Sequence, residues 1–300
     1  MNPSVAIIIV NWNSYDMTSQ CLESLRAIAY NNYEIVVADN GSSDQSGDDI
    51  KNNFPEITLL KNEKNEGFTG GNNLGIRYAI NKGFDYLLLL NNDTVVTSDF
   101  LNVLIYTIDS LPKVGAIQPK IMFNKERDVI WSAGGIFNDF LFLTKTRGEN
   151  ELDLGQYDIR WRPEWITGCC FLVRTEIIKQ IGPLDEKFFI YFEDSDWSFK
   201  IRNAGFELMY EPEAVIYHEV GMSNRNRSDH NEGNISPFSH YVNIRNHLYM
   251  VRRYAKGVNK LGAWSYQMVK FVSYVLYFLA RRRFVKLRYT LRGFRDGLTQ

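Results

Sequence analysis

An α/β fold with a mostly parallel central sheet flanked by helices, followed by a helical C-terminal extension, is what this 300-residue sequence predicts. Three observations carry that reading. Over residues 1–120, apolar β-rich runs alternate with amphipathic segments, and the runs are apolar on both faces, as in a parallel sheet covered by helices. Residues rich in Asn, Asp and Gly follow the carboxyl ends of several of these runs, where an open α/β sheet binds its ligands. Finally, Val251–Gln300 holds twelve Lys/Arg against the single acid Asp296, while the preceding residues hold 22 bases and 34 acids. A body of about −12 thus carries a tail of about +11, which suggests an anionic partner for the tail.

Taken in order, Val5–Val10 reads as a strand, Asp16–Ala29 as a helix and Glu34–Ala38 as a second strand. Ser46–Phe54 is helical, Ile57–Leu60 a short strand, Asn72–Ile80 a helix, Tyr86–Leu90 a strand and Asp99–Ile108 a helix. Right-handed crossovers follow by default. Past residue 115 the rhythm changes. Val114–Phe123 and Trp131–Phe137 read as extended, Phe140–Tyr157 as irregular, and Glu164–Val173 as an apolar run. Thr175–Gln180 is a short helix, Asp194–Asn203 a helix stopped by Gly205, and Ala214–Tyr217 a last strand. Residues 222–237, MSNRNRSDHNEGNISP, read as a mobile loop.

From Phe238 onward the chain reads as helical. Trp264–Ala280 has one charge in 17 residues and is followed by Arg281-Arg282-Arg283. That is the lower end of a membrane-spanning length. Its aromatic residues Trp264, Tyr266, Phe271, Tyr274, Tyr277 and Phe278 fit an interfacial helix better, with the basic flank toward anionic headgroups. Packing of an ordinary amphipathic helix is the alternative. Three cysteines (Cys21, Cys169, Cys170) with no CxxC spacing form neither a disulfide framework nor a zinc site, so a cytoplasmic setting is expected. The opening MNPSVAIIIVNWN has no basic n-region and too short an apolar run for a signal peptide.

Four segments place unusual chemistry at strand ends: Asn11-Trp12-Asn13, the stretch DNGSSD from Asp39, the stretch from Asn65 to Gly75, and Asn91-Asn92-Asp93 after four leucines. Asp39 is placed to accept hydrogen bonds from a base or ribose, though DNGSSD also suits a plain turn. The glycines between Gly67 and Gly75 would let backbone approach a ligand ahead of a helix. They match neither a dinucleotide fingerprint nor a P-loop. Asp93 is a hard carboxylate suited to Mg²⁺ or Mn²⁺ bridging phosphate oxygens, and a diphosphate would supply further ligands. His218 follows the last strand and is either a second protein ligand or a structural histidine.

The richest stretch is FIYFEDSDW, from Phe189 to Trp197. A carboxylate beside apolar rings has its ionised form disfavoured, which raises its basicity, as a general base for an alcohol requires. Acidic residues also suit a helix N-terminus; Asp196 fits that explanation well and Asp194 less well. Trp165 in EWITGCC either walls the same pocket or is core.

In order, VAIIIVNWNS, VVADNGSSD, NEGFTGGNNLGI, LLLLNND, WITGCCFLVR, FFIYFEDSDWSFKIRNAG and HEVGMS resemble the inverting family 2 glycosyltransferases. The likeness is to their bacterial rhamnosyltransferase-like and galactofuranosyltransferase-like branch. It spans residues 4–223. It implies a GT-A fold, with a Rossmann-like sheet in a catalytic domain over 1–237. Residues 1–120 would be its nucleotide-sugar half and 121–237 its acceptor half, with a membrane-associating extension over 238–300. It further implies that Asn11, Asp39, Asn65, Gly67, Asn72, Asn91, Asn92, Trp165 and Arg225 lie along a nucleotide-diphosphate sugar. Asp93 and His218 would hold Mn²⁺ or Mg²⁺; Asn91 stands where the family's DxD motif often begins with Asp. Asp194 would be the base, helped by Glu193, with Asp196 and Trp197 on the acceptor side.

The expected reaction is one inverting displacement, with Arg225 or Arg227 of the 222–237 loop and the metal stabilising the leaving diphosphate. The acceptor would be a glycan hydroxyl, lipid-linked through a polyprenyl diphosphate, in bacterial surface polysaccharide synthesis. The enzyme would then sit in the cytoplasm against the inner face of the plasma membrane, with no nucleic-acid partner. A sugar-phosphate nucleotidylyltransferase would want a Gly-rich basic loop after strand one, where Asn11-Trp12-Asn13-Ser14 stands. A catalytically degenerate scaffold is disfavoured by the presence of both Asp93 and Asp194. A bare membrane-binding module leaves the strand-end motifs unexplained.

Overall fold

The computed structural model describes residues 2–219 and 235–299. The chain forms two compact units: one of Met1–Ile136, Thr146–Phe189 and Glu193–Val220, the other of Phe137–Lys145, Ile190–Phe192 and Gly221–Gln300.

In the first unit, β1 (Val5–Asn11), β2 (Tyr33–Asn40), β3 (Thr58–Asn62) and β4 (Tyr86–Leu90) run parallel in the order β3-β2-β1-β4. Side chains alternate across a strand, so each of these runs feeds two apolar layers. Ile7, Ile9, Leu88 and Leu90 face one layer; Ala6, Ile8, Leu87 and Leu89 face the other. The first layer is covered by α1 (Tyr15–Arg26) through Cys21, Leu22 and Leu25, by α2 (Ser46–Asn53) through Ile50, and by α4 (Phe100–Ser110) through Leu101, Leu104 and Ile108. The second is covered by α3 (Gly67–Lys82) through Ile76 and Ala79, by α5 (Thr175–Ile181) through Ile177 and Ile178, and by α6 (Glu193–Asn203) through Trp197 and Ile201.

Past β4 the sheet becomes mixed. β5 (Thr94–Val96) and β6 (Val114–Phe123) precede a group of short strands, β7 (Val129–Ser132), β8 (Gly135–Asn138), β9 (Leu143–Thr146) and β10 (Glu151–Leu152). β11 (Cys170–Arg174) then lies antiparallel to β4 and to β6, with Leu172 opposite both Leu88 and Ile117. β12 (Glu207–His218) runs parallel to β6 and antiparallel to β5.

Among the elements that differ from the sequence expectation, three do so for a clear local reason. The extended run at 131–137 is two strands, broken where Gly134 takes φ +93°. The irregular stretch 140–157 contains β9 and β10, whose polar residues show no apolar alternation. The last strand is twelve residues long because Glu211, which looks like a breaker, is buried and paired, accepting from Arg160 Nε and Thr107 Oγ1 at 2.6 Å each.

The second unit is built on α7 (Pro237–Tyr254), α8 (Gly257–Ala280) and α9 (Phe284–Thr299). Ser236 caps α7, its Oγ accepting from Ser239 N–H at 3.0 Å, and Pro237 takes the first helical position, where a missing N–H costs nothing. α9 lies close on α7 because Gly293 and Gly297, one turn apart, face Tyr241 and Leu248: a Cβ at either would come within 2.8 Å of them. Asn246 is fully buried, and its amide donates to the carbonyls of Ile190 and Tyr191 at 2.8 Å each. That clamp holds a segment in which Tyr191 and Phe192 adopt φ of +69° and +72°. Burial pushes His247 down to about 3, so its ring is neutral and the Nε2–H donates to Phe142 O at 2.6 Å. Among the described residues no helix is long and apolar enough to cross a membrane.

The aromatic residues expected to face a membrane are placed otherwise. In α8, Tyr274 and Phe278 pack edge-on against His240, Tyr266 lies near His247, and Phe271 stacks on Phe294 at 4.1 Å. Of the six named aromatics, Tyr277 is the one that is largely exposed.

Candidate active site

The carboxyl ends of β1, β2 and β4 bring the strand-end motifs together in the first unit. In the β1–β2 register Asn11 stands beside Asp39. Asn11 is fully buried and its amide is spent inside the protein, donating to Asp39 Oδ1 at 3.1 Å, Ser42 Oγ at 3.2 Å and Ser46 Oγ at 2.8 Å. Ser42 Oγ adds a 2.5 Å bond to the same carboxylate oxygen. Asp39 Oδ1 is therefore immobilised, while Gly47 passes so close that a Cβ there would sit 2.5 Å from Oδ2. One oxygen is pinned and the other is left to accept from a ligand.

Thr18 extends the network. Its hydroxyl donates to Asn11 Oδ1 at 2.9 Å and accepts from Asn92 Nδ2 at 2.9 Å, tying β1 to the Asn-Asn-Asp turn after β4. On the other side of that turn, Asn91 N–H donates to Cys169 O at 2.9 Å, and the neighbouring Gly168 N–H donates to Asp194 Oδ2 at 3.1 Å. The chain of contacts thus runs from Asp39 to Asp194 with little slack.

Asp93 and His218 are 125 residues apart in sequence and side by side in the fold. β5 starts at Thr94, pairs with the end of β12, and sets His218 opposite Thr94. His218 Nε2 approaches Asp93 Oδ1 to 3.0 Å. The two are not aligned as a hydrogen bond: Asp93 Oδ1 and His218 Nδ1 are both buried without a bonded partner. Trp131 fixes the imidazole edge-on, with ring centroids 4.5 Å apart. A buried carboxylate oxygen left unpaired beside an imidazole costs free energy unless a cation takes it, so this pair fits a divalent ion such as Mn²⁺ or Mg²⁺. No cluster of three or more His, Cys, Asp or Glu suited to a metal occurs among the described residues, so further ligands would come from a bound diphosphate and water.

At the start of α6, Asp194 is partly exposed. Its Oδ1 accepts from Ser195 N–H at 2.6 Å and its Oδ2 from Gly168 N–H. Burial raises its pKa, and the two backbone donors offset part of that rise. Glu193 is pushed well above the carboxylate range by burial first and then by the charge of Asp194; its Oε2 has no bonded partner. Two adjacent carboxyls that disfavour joint ionisation titrate as a pair. Such a pair can hold one group ionised and basic at neutral pH.

Several expected contacts move. Trp197 is fully buried, its indole N–H donating to Gly182 O at 3.0 Å and its ring lying 5.2 Å from Phe171. Asp196 is also fully buried and ion-paired with Lys200 at 3.0 Å. Both side chains expected on the acceptor side are thus engaged inside the protein. Trp165 likewise packs against Gly135 and donates to Ile136 O at 3.2 Å. Asn72 is buried within α3 and donates back to Phe68 O at 2.9 Å.

The glycine-rich stretch forms the first turns of α3, which begins at Gly67 rather than at the expected Asn72. Gly71 and Gly75 let that helix lie on β1: a Cβ would meet Val10 at 2.7 Å and Ile8 at 2.5 Å. Gly67, at φ +75°, lets Phe189 approach, a Cβ there being 2.4 Å from Phe189 O. Asn65 accepts from Asn40 Nδ2 at 3.1 Å and from Gly67 N–H at 2.8 Å. Arg225 and Arg227 lie outside the described residues.

Sequence reading named none of Thr18, Asn40, Asn73 and Gly168 as site residues, although Asn40, Asn73 and Gly168 lie within stretches it singled out. Asn40 holds Asn62, Asn65, Glu66 and Gly67. Asn73 clamps Leu184 by a reciprocal pair of bonds at 2.9 and 3.0 Å. A signal was present for both asparagines, since each is a polar residue beside an otherwise apolar packing face.

A profile of glycosyl transferase family 2 matches residues 6–182. The chain belongs to this family. It is 22% identical over 253 residues to a dTDP-rhamnosyl transferase of Shigella flexneri, covering 84% of this chain and 81% of the relative. An N-acetylglucosaminyl-diphospho-decaprenol L-rhamnosyltransferase of Mycobacterium tuberculosis is 23% identical over 256 residues, covering 77% and 81%. A low-salt glycan biosynthesis hexosyltransferase of Haloferax volcanii is 28% identical over 217 residues, 69% of this chain but 64% of that protein. Among solved structures, a mannosyltransferase of Pyrobaculum calidifontis in complex with GDP-mannose and Mn²⁺ superposes with a TM-score of 0.60. It is 14% identical and matches across 100% of this chain and 88% of its own. The family 2 fold is accordingly a GT-A fold, as the motifs imply.

Proposed function

We propose that this glycosyltransferase moves a sugar from a nucleotide-diphosphate sugar, dTDP-rhamnose or a UDP-sugar, to a glycan hydroxyl by a single inverting displacement. The observation that carries this is the hydrogen-bonded chain from Asp39 through Asn11, Thr18 and Asn92, and on from Asn91 through Cys169 and Gly168 to Asp194. It ties Asp39 to Asp194 through the turn that carries Asp93, which supports a reaction governed by positioning.

In this reading Asp39 accepts from the base or ribose through Oδ2. Asn11, Asn40, Asn65 and Asn72 hold the walls of the donor crevice rather than touching the donor. Asn91 and Asn92 set the turn that presents Asp93, and Arg225 meets the diphosphate. Asp194 takes the proton from the acceptor hydroxyl, and Glu193, kept protonated by burial, leaves Asp194 as the ionised member. Asp93 and His218 would hold Mn²⁺ or Mg²⁺, which would stabilise charge on the departing diphosphate. Residues 1–237 make the catalytic domain and 238–300 its extension.

A lipid-linked acceptor in bacterial surface polysaccharide synthesis is supported by the relative that acts on a diphospho-decaprenol, and it puts the enzyme at the cytoplasmic face of the plasma membrane. The test is release of nucleoside diphosphate from a panel of donors, with and without Mn²⁺, in wild type and Asp93→Ala. Metal-dependent release from one donor, lost in the variant, is expected. Donor binding without turnover, even with lipid-linked acceptors present, would replace this reading with a scaffold.

A further inference from the structure

We infer that the outward face of α8 beds into an anionic membrane surface through a continuous aliphatic stripe; this deepens the lipid-linked reading above and rests on it. Val258, Leu261, Met268, Val269, Val272, Leu276 and Leu279 are separated by three, four or seven residues, with Met268 and Val269 adjacent, so they share one side of the helix. All seven are exposed, Leu261 by 70%, Val269 by 66% and Leu276 by 62%. A 24-residue helix is about 36 Å long, and the stripe runs nearly from end to end. Apolar surface this extensive is seldom left to water.

Charge decides what covers it. Helices α7 and α8 contain no acidic residue, and the one acid of α9, Asp296, is buried and held by Tyr241 Oη, Arg292 and Arg295. Lys256 and Lys260 stand at the amino end of the stripe and Arg281-Arg282-Arg283 at its carboxyl end. α9 then presents Phe284, Arg288, Leu291, Arg295 and Leu298 along one exposed side, alternating guanidinium and apolar groups. A second copy of the chain seated on α8 would set cations against cations. Anionic headgroups neutralise them while the aliphatic side chains enter the acyl boundary. With no helix among the described residues fit to span, the contact is along the surface. The lipid-facing stripe is thus aliphatic, while Tyr266, Phe271, Tyr274 and Phe278 serve to pack α8 on α7 and α9.

The experiment is flotation of the full chain with vesicles of phosphatidylcholine, with and without phosphatidylglycerol, alongside the oligomeric state in solution. A Leu261→Glu/Val272→Glu/Leu276→Glu variant changes only exposed positions and should fold as wild type by circular dichroism. Wild type should float with the phosphatidylglycerol vesicles and be released by salt; the variant should bind at least about tenfold more weakly. Transfer to a short water-soluble acceptor should be unchanged in the variant. Undiminished flotation of the variant, or no flotation of wild type, would overturn the inference. So would a wild-type dimer that the variant dissociates, which would make the stripe a seam between copies. Loss of transfer by wild type on every acceptor, with flotation intact, would instead sink the transferase reading and leave the surface standing.

Discussion

Replacing Asp194 with asparagine separates chemistry from architecture in this site. The substitution keeps the side chain's shape and removes its basicity. A general base contributes roughly 10²–10⁴-fold, equivalent to about 3–5 kcal/mol of barrier, so turnover should fall by that factor. Stability should move far less, because two effects oppose. The asparagine oxygen can still accept from either Ser195 N–H or Gly168 N–H but not both, and the stranded donor costs about 1–3 kcal/mol. Against that, burial raises the Asp194 pKa, so the wild-type fold bears a cost for ionising this group that the amide does not. The sign follows from the raised folded pKa: the stability it confers is present below the unfolded pKa and is lost as pH rises through the folded value. At neutral pH the variant should therefore melt within a few degrees of wild type and bind donor as well. Calorimetric donor titration, a thermal melt and a transfer assay give the three readings. Turnover within about tenfold of wild type would refute the base assignment, and parallel loss of donor binding would show that the carboxylate holds the crevice instead.

Four further outcomes are expected. The rate profile in kcat/KM should rise with pH through an apparent pKa above the usual carboxylate range, since burial raises the Asp194 carboxyl that must lose its proton to act as base; in Glu193→Gln that limb should stay in place, because Glu193 is already neutral when Asp194 ionises. Gly67→Ala should cost about 2–4 kcal/mol in denaturant unfolding, because φ +75° is unfavourable for alanine and its Cβ would meet Phe189 O. Trp197→Phe should lower stability through the unpaired Gly182 carbonyl while leaving the acceptor KM unchanged; a raised KM would return Trp197 to the acceptor side. Asn246→Asp, an isosteric change that turns a double donor toward two carbonyls into an acceptor, should destabilise by about 2–3 kcal/mol, read as a lower denaturation midpoint.

Where the local signal was strong, reading from sequence and the structure coincide. Tyr86–Leu90 and Val114–Phe123 fall at the expected bounds, because unbroken apolar runs leave a strand no alternative that buries them. The glycine-rich stretch shows the opposite case. Gly71 and Gly75 look the same in sequence whether they admit a ligand or a strand, and only the nearness of Val10 and Ile8 tells that they admit a strand. The depth of Trp197 was hidden in the same way: its acidic neighbours suggest a surface site, whereas its own helical position points inward.

What the sequence determined by itself is the order of strands and helices, the family, and the residue types gathered at the strand ends. Those follow from periodicity and short-range chemistry, which are local. Tertiary structure decided which of those residues remain free to act. The β5–β12 pairing alone sets Asp93 beside His218, and a buried hydroxyl, Thr18, joins two strand ends. Packing alone set Phe271, Tyr274 and Phe278 of α8 against neighbouring rings and left its aliphatics outward. Each of these depends on contacts between residues far apart in the chain, and periodicity says which side of a helix is apolar without saying what lies against it.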